Sequence, residues 1–287
     1  MKYSMFTGFM RNADDHGIEW AADYARDCGF SGVEFFYMAC RDYEIPDTET
    51  AKKYKEIVTN RGLSIPCVSV GTSLVRSDNP KAIAKLDLDG ALKALDFTAA
   101  LGTKLFHHTL IMAVENHKLT GLEYDEIYPL VLEGASVIAN RAAELGITVL
   151  YEPQGKFFNG REGLGKFYAE MKKSHQNLGI CCDLGNSFWV GEEPYGFFED
   201  YKEDIKHVHL KDYLITDEPI DKSHLDLKGG KYISEAVIGE GVVDLKRITA
   251  MLRSVGYDGF MSLEDYVNIQ SPELIKSIMT RVDNLFN

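Results

Sequence analysis

The chain has 287 residues, of which 45% are hydrophobic and 26% are charged, and its formal net charge is −13. This composition is typical of a folded globular protein and excludes an intrinsically disordered chain. The negative charge is not offset by any basic stripe, so it argues against a protein that binds a nucleic-acid backbone.

Strand-like apolar runs alternate with amphipathic segments along the whole chain. The predicted strands span residues 3–6, 32–36, 64–69, 104–108, 147–151, 178–182, 206–210 and 259–263. The predicted helices span residues 19–28, 50–61, 81–101, 126–145, 163–174, 195–201, 245–255 and 271–285. Five of these helices are followed by glycine and then by a strand, which is one helix-to-strand join used repeatedly.

This alternation predicts an α/β protein that folds as a single (β/α)₈ TIM barrel over residues 1–287, with the active site at the C-terminal ends of the strands. A doubly wound open sheet is the alternative, but no GxGxxG motif follows the first predicted strand. The connection over residues 213–243 is the longest between predicted elements, and connections of that length usually carry function.

The cysteine pattern and the lack of long apolar segments bear on the compartment. The five cysteines form no CxxC pair, which is typical of a reduced protein and not of a disulfide framework. The first residues lack the apolar core of a signal peptide, and no run approaches membrane-spanning length. We therefore expect a cytoplasmic protein that does not associate with a membrane.

Four polar residues stand at or just after the ends of consecutive predicted strands: Glu152, Asp183, His209 and Glu264. Core packing gives no reason for a carboxylate or an imidazole to close a buried strand. In a parallel barrel such residues converge at the carboxyl edge, and oxygen ligands with one imidazole suit Mn²⁺, Mg²⁺ or Co²⁺. The alternative is that they are unrelated polar strand ends that bind nearby loops.

Further substrate-binding candidates follow from position along the predicted strands. Strand alternation directs one residue of the His107–His108 pair inward, and we select His108. Glu34, Lys211 and Glu240 lie near strand ends or in the connections that follow them. Each has a structural alternative. His108 would be a hydrogen-bonded core histidine, and Glu34 would be paired with a helix Arg or Lys. Lys211 would lie behind the metal ligands, and Glu240 would belong to a structural GEG turn.

Five segments resemble the xylose-isomerase-like sugar phosphate isomerase/epimerase superfamily of TIM barrels: VLYEPQ, GICCDLGN, IKHVHLKD, GEGVVDL and GFMSLE. Its members include ketose 3-epimerases, hydroxypyruvate isomerase and inosose dehydratase, with endonuclease IV as a distant relative. The resemblance covers the second half of the chain well, whereas the first half matches only in its strand rhythm and in GFSGVEFF.

The resemblance implies one divalent metal ion, with Mn²⁺ expected first and Co²⁺, Mg²⁺ or Zn²⁺ as alternatives. It implies that Glu152, Asp183, His209 and Glu264 bind this metal, and that Glu152 and Glu264 also move the proton. The implied activity is a sugar or polyol isomerase/epimerase, which abstracts a proton next to a carbonyl through a metal-stabilised enediolate.

Three other functions stay open: an inosose dehydratase-type lyase, an endonuclease IV-like repair nuclease, and an inactive sugar-binding relative. The expected partner is a small sugar or polyol, with no nucleic acid and no membrane, and a homo-oligomer is possible.

The chain departs from the family pattern at two positions. Asn186 stands where many members have a histidine, three residues after the aspartate that ends the sixth strand. Asn can bind a sugar hydroxyl but cannot transfer a proton, which disfavours the multi-metal nuclease. Lys211 follows the strand-seven histidine, where the epimerases tend to have a nearby arginine.

Overall fold

The computed structural model describes residues 1–41, 44–220, 225–226, 230–264 and 271–286, with only the backbone described at 225–226. The chain forms two compact units. The first unit contains Met1–Glu34, Ile57–Ser64 and Cys182–Asn287, and the second contains Phe35–Glu56 and Ile65–Cys181. That residues 1–287 act as a single domain stays a prediction.

Strands and helices alternate along most of the described chain. The strands are β1 Lys2–Met5, β2 Gly32–Val33, β3 Phe35–Met38, β4 Val68–Gly71, β5 Leu105–His108, β6 Thr148–Tyr151, β7 Leu178–Asp183, β8 Ile205–Leu210, β9 Tyr213–Thr216, β10 Leu225–Asp226, β11 Tyr232–Glu235 and β12 Phe260–Leu263. The helices are α1 Thr7–His16, α2 Ile18–Asp27, α3 Thr48–Thr59, α4 Lys85–Leu101, α5 Ala113–Lys118, α6 Tyr124–Glu144, α7 Lys166–Met171, α8 Tyr195–Tyr201, α9 Leu245–Ser254 and α10 Pro272–Phe286. Short 3₁₀ turns occupy Asn186–Val190 and Lys202–Asp204, and a π-helical turn occupies Arg161–Gly165.

In the first unit, β2, β1, β12 and β8 pair side by side, and every pair is parallel. The register aligns Met5 with Val33 on one side and with Leu263 on the other, and Leu263 aligns with Leu210. Parallel strands in register end at the same edge of the sheet. The residues that follow these strand ends therefore lie together at one carboxyl edge: Phe6, Glu34, Lys211 and Glu264.

A second, antiparallel sheet with the order β10–β11–β9 also belongs to the first unit. It lies in the connection after β8, where the sequence predicts a long loop without strands. The pattern is hard to find from sequence, because Tyr213–Thr216 and Tyr232–Glu235 are four-residue strands with mixed burial.

In the second unit, β3, β4, β5 and β6 pair in sequence order, and β6 pairs with the first residues of β7. All of these pairs are parallel. A cluster of buried apolar residues in this unit consists of Cys67, Leu150 and Cys181, with Leu105 packed against it. Parallel strands covered on both faces favour continuous apolar runs such as VSVG and LGICC, which explains why the periodicity finds them.

Several predicted boundaries differ from the structure for local reasons. The predicted strand 32–36 is divided at Glu34 into β2 and β3. The predicted strand 64–69 becomes β4 at Val68–Gly71, because Pro66 has no N–H to donate to a sheet. Helix α1 is absent from the prediction, whose first helix begins at residue 19.

Among the residues that the structure describes, no helix is both long enough and apolar enough to cross a membrane.

Candidate metal centre

Asp183 ends β7 and holds its carboxylate in a fixed orientation. Its Oδ1 accepts the backbone N–H groups of Gly185 at 3.0 Å and of Asn186 at 2.8 Å. Its Oδ2 lies 2.7 Å from the Lys211 ammonium, and the residue is completely buried. One oxygen therefore closes the turn after the strand, while the other is presented to a cation.

His209 lies on β8 with its ring held on three sides. Its Nε2 is 3.1 Å from Glu34 Oε1, and its Nδ1 is 3.5 Å from Glu264 Oε2. The ring stacks on Phe6 with 4.7 Å between centroids and an interplanar angle of 17°. The stacked ring can neither tilt nor swing without losing these contacts, so its two nitrogens face two different carboxylates.

Glu264 follows β12 directly and keeps the strand register for one more residue. Its backbone N–H donates to the carbonyl of Leu210 at 2.9 Å, and its Oε1 is 2.8 Å from the Lys211 ammonium. One ligand atom each from Asp183, His209 and Glu264 lies within 4.8 Å of the others. Two carboxylate oxygens and one imidazole nitrogen form a donor set that suits a divalent cation.

Lys211 supports this interpretation, because its ammonium lies between the two carboxylates. Besides Asp183 and Glu264, it lies 3.3 Å from the side-chain oxygen of Asn186. Lys211 is 7% exposed, so the two anions stabilise a nearly buried positive charge. The residues present therefore fit a divalent metal, which Asp183 Oδ2, His209 Nδ1 and a Glu264 oxygen would hold.

Glu34 is completely buried and lies behind His209. His207 Nε2 lies 2.8 Å from its Oε2, and the Ser262 hydroxyl donates to the same oxygen. Burial alone would raise the pKa of Glu34, but the adjacent His207 and His209 imidazoles hold that pKa well below its usual range. The described partners of Glu34 are thus two histidines of β8 and Ser262 of β12, whereas the structural alternative predicted from the sequence was a helix Arg or Lys.

The strand-end pattern did not identify His207 as a candidate site residue. It stands two residues before His209, so both side chains point to the same face of β8. The His-Val-His spacing was the available signal.

In the second unit, Glu152 follows β6 and is 8% exposed. Its Oε1 accepts from Gln154 Nε2 at 3.2 Å and lies 3.5 Å from His107 Nε2. His107 Nδ1 in turn lies 3.0 Å from the Ser69 hydroxyl. Of the two histidines at the end of β5, the one beside Glu152 is therefore His107, whereas the sequence selected His108.

His108 is fully enclosed in the second unit. Its Nδ1 lies 3.0 Å from the Thr109 carbonyl and 3.2 Å from the Thr72 hydroxyl, and Tyr151 packs edge-on at 5.3 Å. Burial lowers the pKa of His108 to about 3, since the surroundings disfavour the charged ring. These contacts match the structural alternative, and a role in substrate binding stays a prediction.

Glu240 lies at the surface of the first unit, where its Oε1 accepts from Arg281 Nη2 at 3.0 Å. The ion pair gives this residue a structural partner, and a substrate contact by Glu240 also stays a prediction.

Residues 22–282 match the family model described as the xylose isomerase-like TIM barrel. The chain therefore belongs to the xylose isomerase-like TIM barrel family. This confirms both the TIM-barrel fold class predicted from the alternation of strands and helices and the family resemblance of the strand-end motifs.

Several curated relatives are named inosose dehydratase. The inosose dehydratase of Lacticaseibacillus casei is 26% identical over 189 residues, which are 60% of this chain and 61% of the relative. The match thus spans about three fifths of that relative's length. The inosose dehydratase of Klebsiella pneumoniae subsp. pneumoniae is 30% identical over 255 residues, which are 82% of this chain and 78% of the relative.

Solved structures share the fold. The D-psicose 3-epimerase of Clostridium cellulolyticum H10 aligns over 100% of both chains with a TM-score of 0.73 and 16% identity. The probable 3-DHS dehydratase AsbF of Bacillus anthracis aligns over 99% of both chains with a TM-score of 0.71 and 18% identity. A xylose isomerase-like TIM barrel protein from Mycobacterium smegmatis, solved in complex with magnesium, covers 99% of this chain and 96% of its own, with a TM-score of 0.71 and 16% identity. At these identities the likeness concerns the fold alone.

Proposed function

We propose that this chain is a divalent-metal-dependent lyase that removes water from a polyhydroxylated ketone of the inosose type. The convergence of Asp183, His209 and Glu264 around one buried cation position carries the proposal. The relatives are named as dehydratases, so they favour the lyase over the isomerase or epimerase that the strand-end motifs led us to expect first.

The reaction breaks a C–H bond next to the carbonyl and a C–O bond on the following carbon, and it releases one water molecule. When bound, the metal would stabilise the negative charge that develops on the carbonyl oxygen. We expect Mn²⁺ as the bound ion. Co²⁺, Mg²⁺ and Zn²⁺ are the alternatives, because the donor set accepts each of these ions.

The proton has to pass through groups of this chain. We propose Glu264 and Glu152 as the proton carriers, since a carboxylate is an effective base when it is held near the carbon that reacts. Glu264 is oriented by Lys211 and Glu152 by Gln154 and His107. That Glu152 is also a fourth metal ligand rests on the sequence resemblance and stays a prediction.

Lys211 and Asn186 are the proposed substrate contacts. The ammonium of Lys211 can donate to a substrate oxygen while it keeps its contact with Glu264, and the amide of Asn186 can bind a neighbouring hydroxyl. Both residues are nearly buried, so the hydrogen bonds would form away from bulk water and would select hydroxyl groups over apolar substituents.

An epimerase is the second candidate. It is favoured by the presence of two strand-end carboxylates, Glu152 and Glu264, each held by a nitrogen donor. The two reactions share proton removal next to a carbonyl, and they differ in whether a hydroxyl then leaves or a proton returns.

The test is to strip the protein with a chelator, reload it with each of the four metals, and incubate it with an inosose and with ketohexoses in D₂O. Loss of one water molecule, seen by mass spectrometry, supports the lyase. Deuterium incorporation without loss of water supports the epimerase instead. Glu56→Gln, at an exposed position of α3, is the control that should retain activity. A protein that neither binds metal nor exchanges deuterium would overturn both candidates.

A further inference from the structure

We propose that Glu34 is a positioning residue that sets the proton position and the rotation of His209, so that Nδ1 is presented to the metal. This role differs from the substrate contact expected from the sequence. The inference rests on the proposed metal centre, and its test separates the two.

The hydrogen bond between Glu34 and His209 has only one sense. A carboxylate can only accept, so the Nε2 that lies 3.1 Å from Glu34 Oε1 must carry a hydrogen. In a neutral imidazole the other nitrogen then has a lone pair. That nitrogen is Nδ1, which lies 3.5 Å from Glu264 Oε2 on the side of the candidate ligands. Glu34 therefore selects the one tautomer that can bind a metal there.

The strand register explains why Glu34 reaches His209. Ser4 of β1 aligns with Ser262 of β12, and Ser262 aligns with His209 of β8. Glu34 follows β2 immediately, and its backbone N–H donates to the Met5 carbonyl at 2.9 Å. Its carboxylate thus lies over three neighbouring strands that present a hydroxyl, a second hydroxyl and an imidazole.

The two oxygens of Glu34 have separate partners. Oε2 accepts from the Ser262 hydroxyl and lies 2.8 Å from His207 Nε2, and Ser262 in turn lies 2.5 Å from the Ser4 hydroxyl. These contacts fix the plane of the carboxylate. Oε1 is then directed at His209. The contacts of Oε2 with Ser262 and His207 therefore fix Glu34 in the orientation that positions His209.

Phe6 supplies the second constraint on the same ring. It stacks on His209 at 4.7 Å and fixes the plane of the imidazole, but an apolar ring cannot distinguish the two nitrogens. A 180° flip about the Cβ–Cγ bond would leave the stacking unchanged, but it would put Cε1 in the place of Nε2 and Cδ2 in the place of Nδ1. The hydrogen bond to Glu34 opposes that flip, because Cε1 cannot replace Nε2 as the donor, and this is the reason for assigning the ring orientation and the tautomer to Glu34.

Glu34→Gln is the discriminating variant. The amide has nearly the same shape, but its NH₂ group faces an imidazole N–H, so one histidine must move its proton or rotate. We expect metal affinity, measured by competition with a chelating dye, to fall by about 10- to 100-fold, as for other partners of a metal-binding histidine. Glu34→Asp, which keeps two acceptor oxygens, should recover part of this loss.

The tautomer itself gives a readout that stability alone would not move. Long-range ¹H–¹⁵N correlation of ¹⁵N-histidine protein should show His209 protonated at Nε2 in the metal-free wild type, with the signal assigned from His209→Asn. Glu34→Gln should reduce that population. Asp87→Asn is the matched control, because Asp87 is equally buried but bonds to Ser73 and Arg76 in the second unit. It should lower thermal stability without changing metal affinity or the tautomer.

Each outcome has one meaning. If the wild type binds no metal, the metal centre fails and the proposed function fails with it. If the wild type binds metal and Glu34→Gln binds it equally well, only the role of Glu34 is overturned. If Glu34→Gln does not fold, the wild-type spectrum still decides, since a His209 protonated at Nδ1 in metal-free protein contradicts the proposal.

Discussion

At the scale of single residues, the candidate site depends on side chains that use their two polar atoms for different purposes. Asp183 closes a turn with Oδ1 and faces Lys211 with Oδ2. His209 faces Glu34 with one nitrogen and Glu264 with the other. Because each of these groups is held by a structural contact at one polar atom, its second polar atom is directed before any ligand arrives, which lowers the cost of ordering the site on binding.

Asp183→Asn tests whether the two carboxylate oxygens of Asp183 have separate roles. The amide oxygen can still accept the backbone N–H groups of Gly185 and Asn186, whereas an NH₂ group replaces the oxygen that faces Lys211. We expect metal affinity to fall by more than about 100-fold, beyond the usual effect of a residue behind the ligands. Hydrogen exchange at the amides of Gly185 and Asn186 should stay slow. Rapid exchange there would mean that the turn, and not the ligand, had been lost.

Lys211→Met tests whether the ammonium and a metal compete for the same carboxylates. The ammonium lies 2.7 Å from Asp183 and 2.8 Å from Glu264. Unit charges about 4 Å apart interact by about 4 kcal/mol at an effective dielectric constant of 20, so removing this charge should tighten metal binding by about tenfold or more. Isothermal titration with Mn²⁺ measures the change.

The same variant should turn over substrate poorly, because Lys211 is a proposed substrate contact. Lys206→Met is the matched control, since Lys206 lies on β8, the strand that Lys211 follows, but is exposed and bonds only to the Glu203 carbonyl among its described contacts. Weaker metal binding by Lys211→Met would show that the lysine supports the ion instead of competing with it.

At the scale of elements, one buried carboxylate attaches the segment before α9 to the end of β8. Asp212 Oδ1 accepts the N–H groups of Tyr213 at 2.9 Å and Val243 at 3.0 Å. Its Oδ2 accepts those of Gly239 and Gly241, both at 2.9 Å. A Cβ at Gly241 would lie 2.3 Å from Asp212 Oδ1, so glycine is required for this approach. The GEG motif is thus explained by a backbone contact.

Asp212→Asn should release that segment. The amide replaces one acceptor by a donor, which then faces two backbone N–H groups. Since hydrogen bonds to a charged group contribute about 1.5–3 kcal/mol each, we expect a loss of about 3 kcal/mol in the free energy of unfolding. Amide exchange at Gly239 and Gly241 should accelerate. Asp217→Asn, at an exposed position of the same connection, is the control. Unchanged protection in Asp212→Asn would contradict the anchoring role.

Gly90 marks a close contact between α4 and the chain after β3 in the second unit. A Cβ there would lie 2.1 Å from the Ala39 carbonyl oxygen, which is backbone and cannot move aside. Gly90→Ala should therefore destabilise the protein by about 1–3 kcal/mol in urea unfolding, although glycine to alanine within a helix normally stabilises by about 0.5–1 kcal/mol. Gly134→Ala in α6 is the control, because its nearest neighbour is the flexible Leu74 side chain at 3.3 Å. Equal effects of the two substitutions would refute the steric argument.

Strand ends were predictable from sequence, whereas their partners were not. A polar residue that closes an apolar run is visible locally, and the structure places Asp183, His209 and Glu264 together as that pattern predicts. The structure places His107 beside Glu152, and which of His107 and His108 does so depends on where the strand begins, which an apolar run does not define. The Glu34–His207 contact joins residues that are far apart in sequence, and it depends on the register of the four strands β2, β1, β12 and β8.

At the scale of the whole molecule, buried titratable groups determine how stability responds to acid. The pKa of Glu34 is held well below its usual range by His207 and His209, despite the opposing effect of burial. Its stabilising contribution is therefore present above its ordinary pKa and is lost as the pH falls through the folded-state value. His108 acts at higher pH, because burial lowers its pKa from 6.5 to about 3.

The sign for His108 follows from proton binding. Between pH 6.5 and about 3 the unfolded chain protonates this histidine and the folded protein does not, so acid favours unfolding. A pH of 5 lies about 1.5 units below the pKa of this histidine in the unfolded chain. Its protonation there lowers the free energy of unfolding by about 2 kcal/mol relative to neutral pH. His108→Gln should remove this part of the pH dependence, whatever its effect on stability at pH 7.5. Urea unfolding at pH 7.5, 6 and 5 measures the slope, with the exposed His117→Gln as control. If His108→Gln and wild type lose stability in parallel from pH 7.5 to 5, His108 is protonated in the folded protein and is not enclosed as the structure shows.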